Sequence, residues 1–279
     1  MAFDVSIGQY YEKNSIIHRL DPRTKLFFVL VYIVAIFIAK EIYAFALLTA
    51  VAILTVLISR VPIRIILKGL KPVVIIVLFT AFLNMFLTKG EGVPYSFTVI
   101  PNFWTITLYK EGLINAGILA LRIVILLVET SVLFSYTTTP IELTDGLETA
   151  LSPLKKIKVP VHEFAMMMTI ALRFIPTLVE ETSKIMDAQK ARGADFSSGG
   201  LIKRAKALIP IIIPLFISSF RRAEELAIAM ECRCYHGGNG RTRMKKLKMK
   251  IKDYVGLLLG CLLMTGVILL NIYTHIYSI

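Results

Sequence analysis

The sequence has few charged residues for its length. Asp, Glu, Lys and Arg make up 18% of its 279 residues, whereas a soluble domain carries about 25%. Apolar residues make up 56% of the chain, and the mean hydropathy is +0.71. This composition excludes an ordinary soluble domain and indicates that much of the surface faces a lipid bilayer.

Acidic residues are scarcer than basic ones. Nineteen Asp and Glu stand against 32 Lys and Arg, which gives a net charge of +13. A soluble protein with this excess would suggest nucleic-acid binding, but in membrane proteins Lys and Arg concentrate in cytoplasmic loops. We therefore interpret the basic run Arg241–Lys252 as a topology determinant beside anionic lipid head groups, and we predict no nucleic-acid partner.

Cysteine and histidine are also rare, at three and four residues. Cys232, Cys234 and His236 could contact a zinc ion, but a closed site needs four ligands and nothing nearby supplies the fourth. Three cysteines make no disulfide framework, and the thiols suit a reducing cytosol. The sequence therefore predicts neither a metal nor a cofactor.

Familiar catalytic motifs are missing. There is no G-x-x-x-x-G-K-[ST], H-E-x-x-H or G-x-S-x-G pattern and no dinucleotide fingerprint. We predict a chain that is not an enzyme and has no catalytic residues. A membrane enzyme, which would need a clustered acid, base or metal site, stays an alternative.

Five apolar stretches approach the roughly 20 residues that cross a bilayer as a helix. Charged residues near the start also argue against a cleavable signal peptide, because no apolar segment lies among them. The predicted spans are Leu26–Ala39, Ile42–Ser59, Leu70–Leu87, Leu113–Tyr136 and Tyr254–Tyr273.

Charge placement predicts the orientation of these spans. One basic cluster precedes the first span, and a second lies between the second and third spans (Arg60, Arg64, Lys68, Lys71). Cytoplasmic loops carry the excess of Lys and Arg, so we place both clusters, the N-terminus and the section 137–253 in the cytoplasm. The predicted domains are 1–136 in the membrane, 137–253 in the cytoplasm, and 254–279 as a last transmembrane helix.

The sequence of section 137–253 predicts three helices on the cytoplasmic face. Its apolar runs are shorter than a span and are surrounded by basic residues, which is typical of amphipathic helices. We predict one short helix at about 140–151 and two long helices at about 161–193 and 201–236. Gly193, Gly237 and Gly238 suit the left-handed residues that end helices, and Pro210 and Pro214 should kink the second long helix.

Two ionisable residues fall inside the fourth span. Arg122 and Glu129 are seven residues apart and so lie on one helix face. Such groups are functional candidates by default, although pairing with a polar group such as Asn84 on a neighbouring helix is the simpler interpretation. A secondary transporter would need more intramembrane carboxylates than Glu129, and it stays the other alternative.

The two long helices end in similar pieces of sequence, AQKARGAD at 188–195 and AIAMECRCY at 227–235. Each has an alanine three or four residues before an arginine. A cation is favourable at a helix C-terminus, and a guanidinium there can make bidentate hydrogen bonds in an acidic groove. Arg192 and Arg233 therefore suggest docking onto a partner with two-fold or pseudo-two-fold symmetry.

These motifs resemble those of the transmembrane component of energy-coupling factor transporters, the EcfT and CbiQ-like family. The segments that carry the resemblance are GQYYEKNSIIHRLDPRTK (8–25), TTTPIELTDGLETALSPLKKIKVP (137–160), AQKARG and AMECRCYHGGNGRT. Cysteines flank Arg233 where the family has a plain Ala-Arg-Gly form. The N-terminal segment is similar to the version shared among several substrate-binding subunits.

The resemblance implies the partners and the site residues. Family members work with two ABC-type ATPase subunits and a small substrate-binding membrane subunit for the uptake of vitamins or other micronutrients. The implied ATPase-docking residues are Ala191, Arg192, Gly193, Ala229, Glu231 and Arg233. The residues implied to face the substrate-binding subunit are Met167, Ile170, Phe174, Ile212 and Phe216. Without the resemblance, this apolar stripe is equally well explained by core packing.

The predicted protein is thus an all-α integral membrane protein of about five transmembrane helices. A cytoplasmic coupling domain of one short and two long amphipathic helices would transmit ATP-driven motion. The sequence does not predict the imported substrate or the stoichiometry of the complex.

Overall fold

The computed structural model describes residues 10–87, 95–100, 104–108, 110–196, 200–237, 247 and 249–277. Eight α-helices and one β-hairpin account for most of these residues. The helices are α1 (Pro22–Ile38), α2 (Ile42–Ser59), α3 (Ile63–Leu87), α4 (Lys110–Thr130), α5 (Pro140–Ala150), α6 (Val161–Ala191), α7 (Leu201–Glu231) and α8 (Ile251–Tyr277). Helix α4 continues as a π-helical segment, Ser131–Tyr136, and a 3₁₀ helix, Ser152–Ile157, follows α5.

The chain divides into two compact units. The membrane unit comprises Gly8–Thr139 with Leu247–Ile279, and the second unit contains Pro140–Lys246. Helices α1 to α4 and α8 belong to the membrane unit, and α5 to α7 belong to the second unit. The all-helical membrane class is therefore confirmed, while the domain limits at 136 and 253 stay predictions.

The start of α1 follows from its local sequence. Asp21 has an extended backbone, and its Oδ1 accepts a hydrogen bond from the Arg23 N–H at 3.0 Å. Pro22 occupies the first helical position, where its missing N–H costs nothing. The DPR sequence is thus a helix start signal.

The core of the membrane unit lies between α1, α2, α4 and α8. Tyr32, Phe45, Leu48 and Val267 are among its fully buried side chains, and the Tyr32 hydroxyl donates to the Leu48 carbonyl at 3.0 Å. Large apolar residues cover much of the outer surface, including Leu57, Ile75 and Leu269. An apolar exterior around a small core is what lipid-facing helices need.

Hydrogen bonds at both ends of α1 fix the helix directions. The Asp253 carboxylate of α8 accepts from the Asp21 N–H at 2.7 Å, and the Asn271 amide donates to the Ile38 carbonyl at 2.8 Å. Helices α1 and α8 therefore run parallel. Helix α2 returns after three residues, so its C-terminal end lies beside the starts of α1 and α8.

Helix α4 runs opposite to α1. Arg122 Nη2 donates to the Ala39 carbonyl at 3.1 Å, and Lys25 Nζ donates to the Thr137 carbonyl at 2.7 Å. The first contact joins the middle of α4 to the end of α1. The second joins the end of the π-helical segment to the start of α1.

Four of the described helices are long and apolar enough to cross a membrane. The remaining predicted span, Leu26–Ala39, corresponds to α1, whose 17 residues extend about 25 Å, somewhat less than a hydrocarbon core of about 30 Å. The parallel pairing of α1 with α8 over nearly its whole length supports this span. The four stretches are Ile42–Ser59, Ile63–Asn84, Ile114–Tyr136 and Ile251–Thr274.

Two features differ from the expected spans. Helix α3 begins at Ile63 rather than Leu70, so Arg64, Lys68 and Lys71 lie on its first turns and not in a connecting loop. Long basic side chains can reach the interface from within a helix, so their charge does not end it. The connection after α3, for which the sequence predicted no strands, contains an antiparallel hairpin of β1 (Tyr95–Ile100) and β2 (Trp104–Leu108).

The helices of the second unit match the expectation in number and order. Helix α5 packs on α6, and α6 packs on α7. His162 Nδ1 of α6 lies 3.1 Å from Glu148 Oε1 of α5. Helix α7 continues through Pro210 and Pro214 as one helix, and the kink expected there stays a prediction.

Candidate functional site

The end of α6 is closed by a Schellman motif. Gly193 has φ +86°, its N–H donates to the Lys190 carbonyl at 2.9 Å, and the Ala194 N–H donates to the Gln189 carbonyl at 3.0 Å. These two bonds satisfy carbonyls that a helix end leaves open. The left-handed residue predicted at Gly193 is confirmed, and Arg192 is the last residue before the turn.

The end of α7 has the same geometry. Cys234 has φ +55°, its N–H donates to the Glu231 carbonyl at 2.9 Å, and the Tyr235 N–H donates to the Met230 carbonyl at 3.1 Å. Arg233 therefore takes the position that Arg192 takes on α6. The left-handed residue that ends α7 is Cys234 and not a glycine: Gly237 also has positive φ but lies beyond the turn, and Gly238 lies outside the described residues.

All six predicted docking residues are exposed. The Arg192 and Arg233 guanidinium groups make no hydrogen bond or ion pair with any residue that the structure describes. Both cations stand at helix C-termini, where the dipole favours positive charge. The six residues are Ala191, Arg192, Gly193, Ala229, Glu231 and Arg233.

A salt bridge marks the point where α6 and α7 meet. Arg222 Nη2 lies 2.6 Å from Glu181 Oε2, and both side chains are partly buried. Arg192 follows Glu181 by 11 residues, and Arg233 follows Arg222 by 11 residues. Each arginine thus lies about 16 Å along its helix from the salt bridge, so the two arginines are equally far from it along their helices.

The residues that the structure describes leave much of the predicted apolar stripe uncovered. Phe216 is 62% exposed, Met167 and Ile212 are also exposed, and Ile170 and Phe174 are half-buried. Phe216 packs on Phe220 of the same helix, with ring centroids 4.6 Å apart. Packing among the described residues thus leaves three of the five residues exposed, and the role of the stripe stays a prediction.

Arg122 and Glu129 pair with polar groups at neighbouring helices, as expected, but not with Asn84. Arg122 donates to the Ala39 carbonyl and lies over the Phe45 ring, with Cζ 5.2 Å from its centroid. Glu129 is fully buried, and its Oε2 accepts from the Thr55 hydroxyl at 2.6 Å. The pairing with Asn84 was wrong, because the Asn84 amide donates to the Thr80 carbonyl of its own helix.

Cys232, Cys234 and His236 do not form a metal site in the structure. Cys232 and Cys234 are exposed, and His236 Nδ1 lies 2.9 Å from the Cys234 carbonyl oxygen. Within the described ranges, no three His, Cys, Asp or Glu residues come together as metal ligands.

Sequence reasoning missed a buried polar cluster at the starts of α1 and α8. Lys25 is 1% exposed, and its amine also donates to Thr138 Oγ1 at 3.0 Å. The Asp253 carboxylate accepts from the Lys250 N–H at 2.7 Å as well as from Asp21. Asp21 before a proline and Asp253 in a first helical turn were the available signals. Much of the N-terminal motif therefore holds helices together.

Comparisons with known proteins agree with this architecture. The family model described as CbiQ, cobalt transport protein, matches residues 13–245. The energy-coupling factor transporter transmembrane protein EcfT of Clostridium kluyveri is 52% identical over 276 residues, which cover 98% of this chain and 99% of that protein.

Two further relatives carry the same name. The Bacillus subtilis protein is 50% identical over 253 residues, covering 91% of this chain and 93% of that protein. The Acidaminococcus fermentans protein is 52% identical over 248 residues, covering 88% of this chain and 89% of that protein. Taken with the family match, these identities show that the chain belongs to the CbiQ family, among the transmembrane components of energy-coupling factor transporters.

Proposed function

We propose that this chain is the coupling subunit of an ATP-driven importer of vitamins or other micronutrients. It would transmit the motion of two ABC-type ATPase subunits to a small substrate-binding membrane subunit. The observation that best supports this function is the pair of similar helix ends, each with an exposed arginine before a left-handed residue. Each arginine follows its helix's residue of the Glu181–Arg222 salt bridge by 11 residues.

Docking on the ATPases would use the two arginines. A guanidinium makes paired hydrogen bonds with carboxylates, and equivalent ends suit two copies of the same groove. Each turn is fixed by two backbone hydrogen bonds, so little ordering entropy opposes docking. A pushing ATPase would therefore move a stiff helix end.

The substrate-binding subunit would pack on the apolar stripe. Met167 on α6 and Ile212 and Phe216 on α7 are exposed, and exposed apolar patches of this kind mark interaction sites. A movement of α6 and α7 would then reach the substrate-binding subunit directly.

The orientation follows the excess of basic residues. The start of α1, the end of α2 and the start of α8 lie at one end of the membrane unit, and Arg23, Arg60 and Lys252 are found there. The positive-inside rule supports placing this end, and the second unit, in the cytoplasm.

Charge reversal tests the docking role. Arg192→Glu and Arg233→Glu should each reduce the ATPase subunits that co-purify with the tagged chain at least tenfold, because a like charge enters an acidic groove. Arg204→Glu, on an exposed residue near the start of α7, is the matched control and should leave the yield unchanged. Full recovery of both ATPases with the double variant would refute the role of these arginines.

A further inference from the structure

A cleft of about 420 Å³ opens in the membrane unit. Its walls come from the segment before α1, the start of α1, the second half of α2, Leu133 and the first half of α8. The lining is mostly apolar, and the amine of its Lys25 is already engaged by Thr137 and Thr138. Representative residues are Ile16, Leu20, Leu54, Ile58, Val255 and Leu259.

The length of the cleft matches one bilayer leaflet. On α8 its lining runs from Ile251 to Leu263, which is about 18 Å at 1.5 Å per residue. Half of a hydrocarbon core of about 30 Å is about 15 Å. The cleft starts where α8 starts, so it extends inward from one end of the helices as an acyl chain does.

A second, polar pocket adjoins the cleft. It has about 380 Å³ and shares Ile16 and Ile58 with the cleft, while Asn14 and Arg60 supply polar groups. The Arg60 guanidinium makes no hydrogen bond or ion pair with a residue in the described part of the chain. A free cation thus stands at the end of an apolar cleft, and Lys252 in the cleft lining is a second cation.

Arg60 also occupies an unfavourable backbone conformation. It ends α2 with φ +56°, a conformation that glycine adopts without steric cost and other residues do not. Strain at a non-glycine residue points toward a use for its side chain.

We propose that this cleft binds one phospholipid with an anionic head group. An acyl chain fills the apolar cleft, and the phosphate lies against Arg60 in the adjoining pocket. The apolar lining excludes a polar ligand from the cleft. Arg60 can bind the phosphate of any phospholipid by charge-assisted hydrogen bonds, and its charge favours a head group that carries no compensating cation. Neither the ATPase-docking helix ends nor the apolar stripe is part of this site.

Native mass spectrometry of the full chain tests this assignment. The chain is released from nanodiscs that contain equal amounts of phosphatidylglycerol and phosphatidylcholine with the same acyl chains. We expect one retained lipid, with phosphatidylglycerol favoured about tenfold, because Arg60 repels the choline cation that only phosphatidylcholine carries. Equal retention of the two lipids would overturn the proposal. Retention of a second copy of this chain, or of another polypeptide, in place of lipid would also overturn it.

Two pairs of variants separate the head-group contact from the cleft. Arg60→Gly should abolish the preference while relieving strain, so misfolding cannot explain the loss. Lys158→Gly is its control, because Lys158 is a basic residue at φ +60° in the second unit. Leu259→Trp should fill the cleft and remove the lipid, whereas Leu262→Trp, on an exposed residue outside the lining, should not. An unchanged preference in Arg60→Gly, or an unchanged lipid in Leu259→Trp, would contradict the site.

Discussion

Cys234 stands where a glycine would fit better. It ends α7 with φ +55°, whereas Cys232 is helical with φ −58°. Cys234→Gly should stabilise the end of α7 by about 1 kcal/mol by relieving the left-handed strain. Cys232→Gly should destabilise it by about 0.5 kcal/mol through lost helix propensity.

Amide hydrogen exchange in the full chain checks both changes. The Tyr235 N–H, which closes the turn on the Met230 carbonyl, should exchange more slowly in Cys234→Gly and faster in Cys232→Gly. A shift of the same sign in both variants would mean that the thiols, and not the backbone, determine the stability of this end.

Thr55 is the hydrogen-bond partner of the buried Glu129 carboxyl. Its replacement by Val leaves a polar group without a partner, which costs about 1–3 kcal/mol. Thr55→Val should therefore lower the thermal unfolding midpoint in detergent. Thr49→Val is the control on the same helix, because the Thr49 hydroxyl donates to the Phe45 carbonyl of its own helix; an equal loss in both variants would exclude a specific role for the Glu129 contact.

Single residues show the limit of reading contacts from sequence. The helix end at Gly193 was predictable because local backbone chemistry determines it. The partners of Arg122 and Glu129 are Ala39 and Thr55, which depend on how α1, α2 and α4 pack. Spacing along a helix shows which face of that helix a residue lies on, but it does not show which residues of other helices pack against that face. Asn84 was therefore the wrong partner.

At the level of helices, α8 packs closely on α1 through a glycine. A Cβ on Gly256 would lie 2.8 Å from Thr24 Cγ2, whereas a Cβ on Gly117 of α4 would meet no atom within 4 Å. Gly256→Ala should cost about 1–3 kcal/mol, since a helix must shift. Gly117→Ala should gain up to about 1 kcal/mol from helix propensity.

The thermal unfolding midpoint of the two alanine variants, measured in the same detergent, distinguishes these effects. We expect the midpoint to fall for Gly256→Ala and to rise for Gly117→Ala. A rise in both would mean that α1 and α8 are not closely packed in the detergent-solubilised protein.

Helices were predictable where hydrophobic length and basic flanks determine them. The spans at Ile42–Ser59 and the helices α5 to α7 lie close to their predicted limits. The early start of α3 was missed because Arg64, Lys68 and Lys71 suggested a loop. The parallel pairing of α1 with α8 depends on Asp21 and Asp253, two residues too distant in sequence for any local pattern to connect.

For the molecule as a whole, the Glu181–Arg222 salt bridge should keep the two helix ends in register. Glu181→Arg or Arg222→Glu alone places like charges at a contact of 2.6 Å, and each should lower the yield of complexes with two ATPases several-fold. The double charge swap restores opposite charges and should recover most of the yield. If the double swap lowers the yield as much as the single variants do, the lost salt bridge is not the cause of the lower yield.

The parallel contact of α1 with α8 also bears on biosynthesis. The Asp21 N–H and its Asp253 acceptor are 232 residues apart, so the first helix leaves the ribosome long before its neighbour is made. Closing so long a loop is slow compared with local folding. The membrane unit can be completed only after α8 has been synthesised, and ribosome-bound chains that stop before α8 should be more susceptible to membrane proteases than chains that contain it.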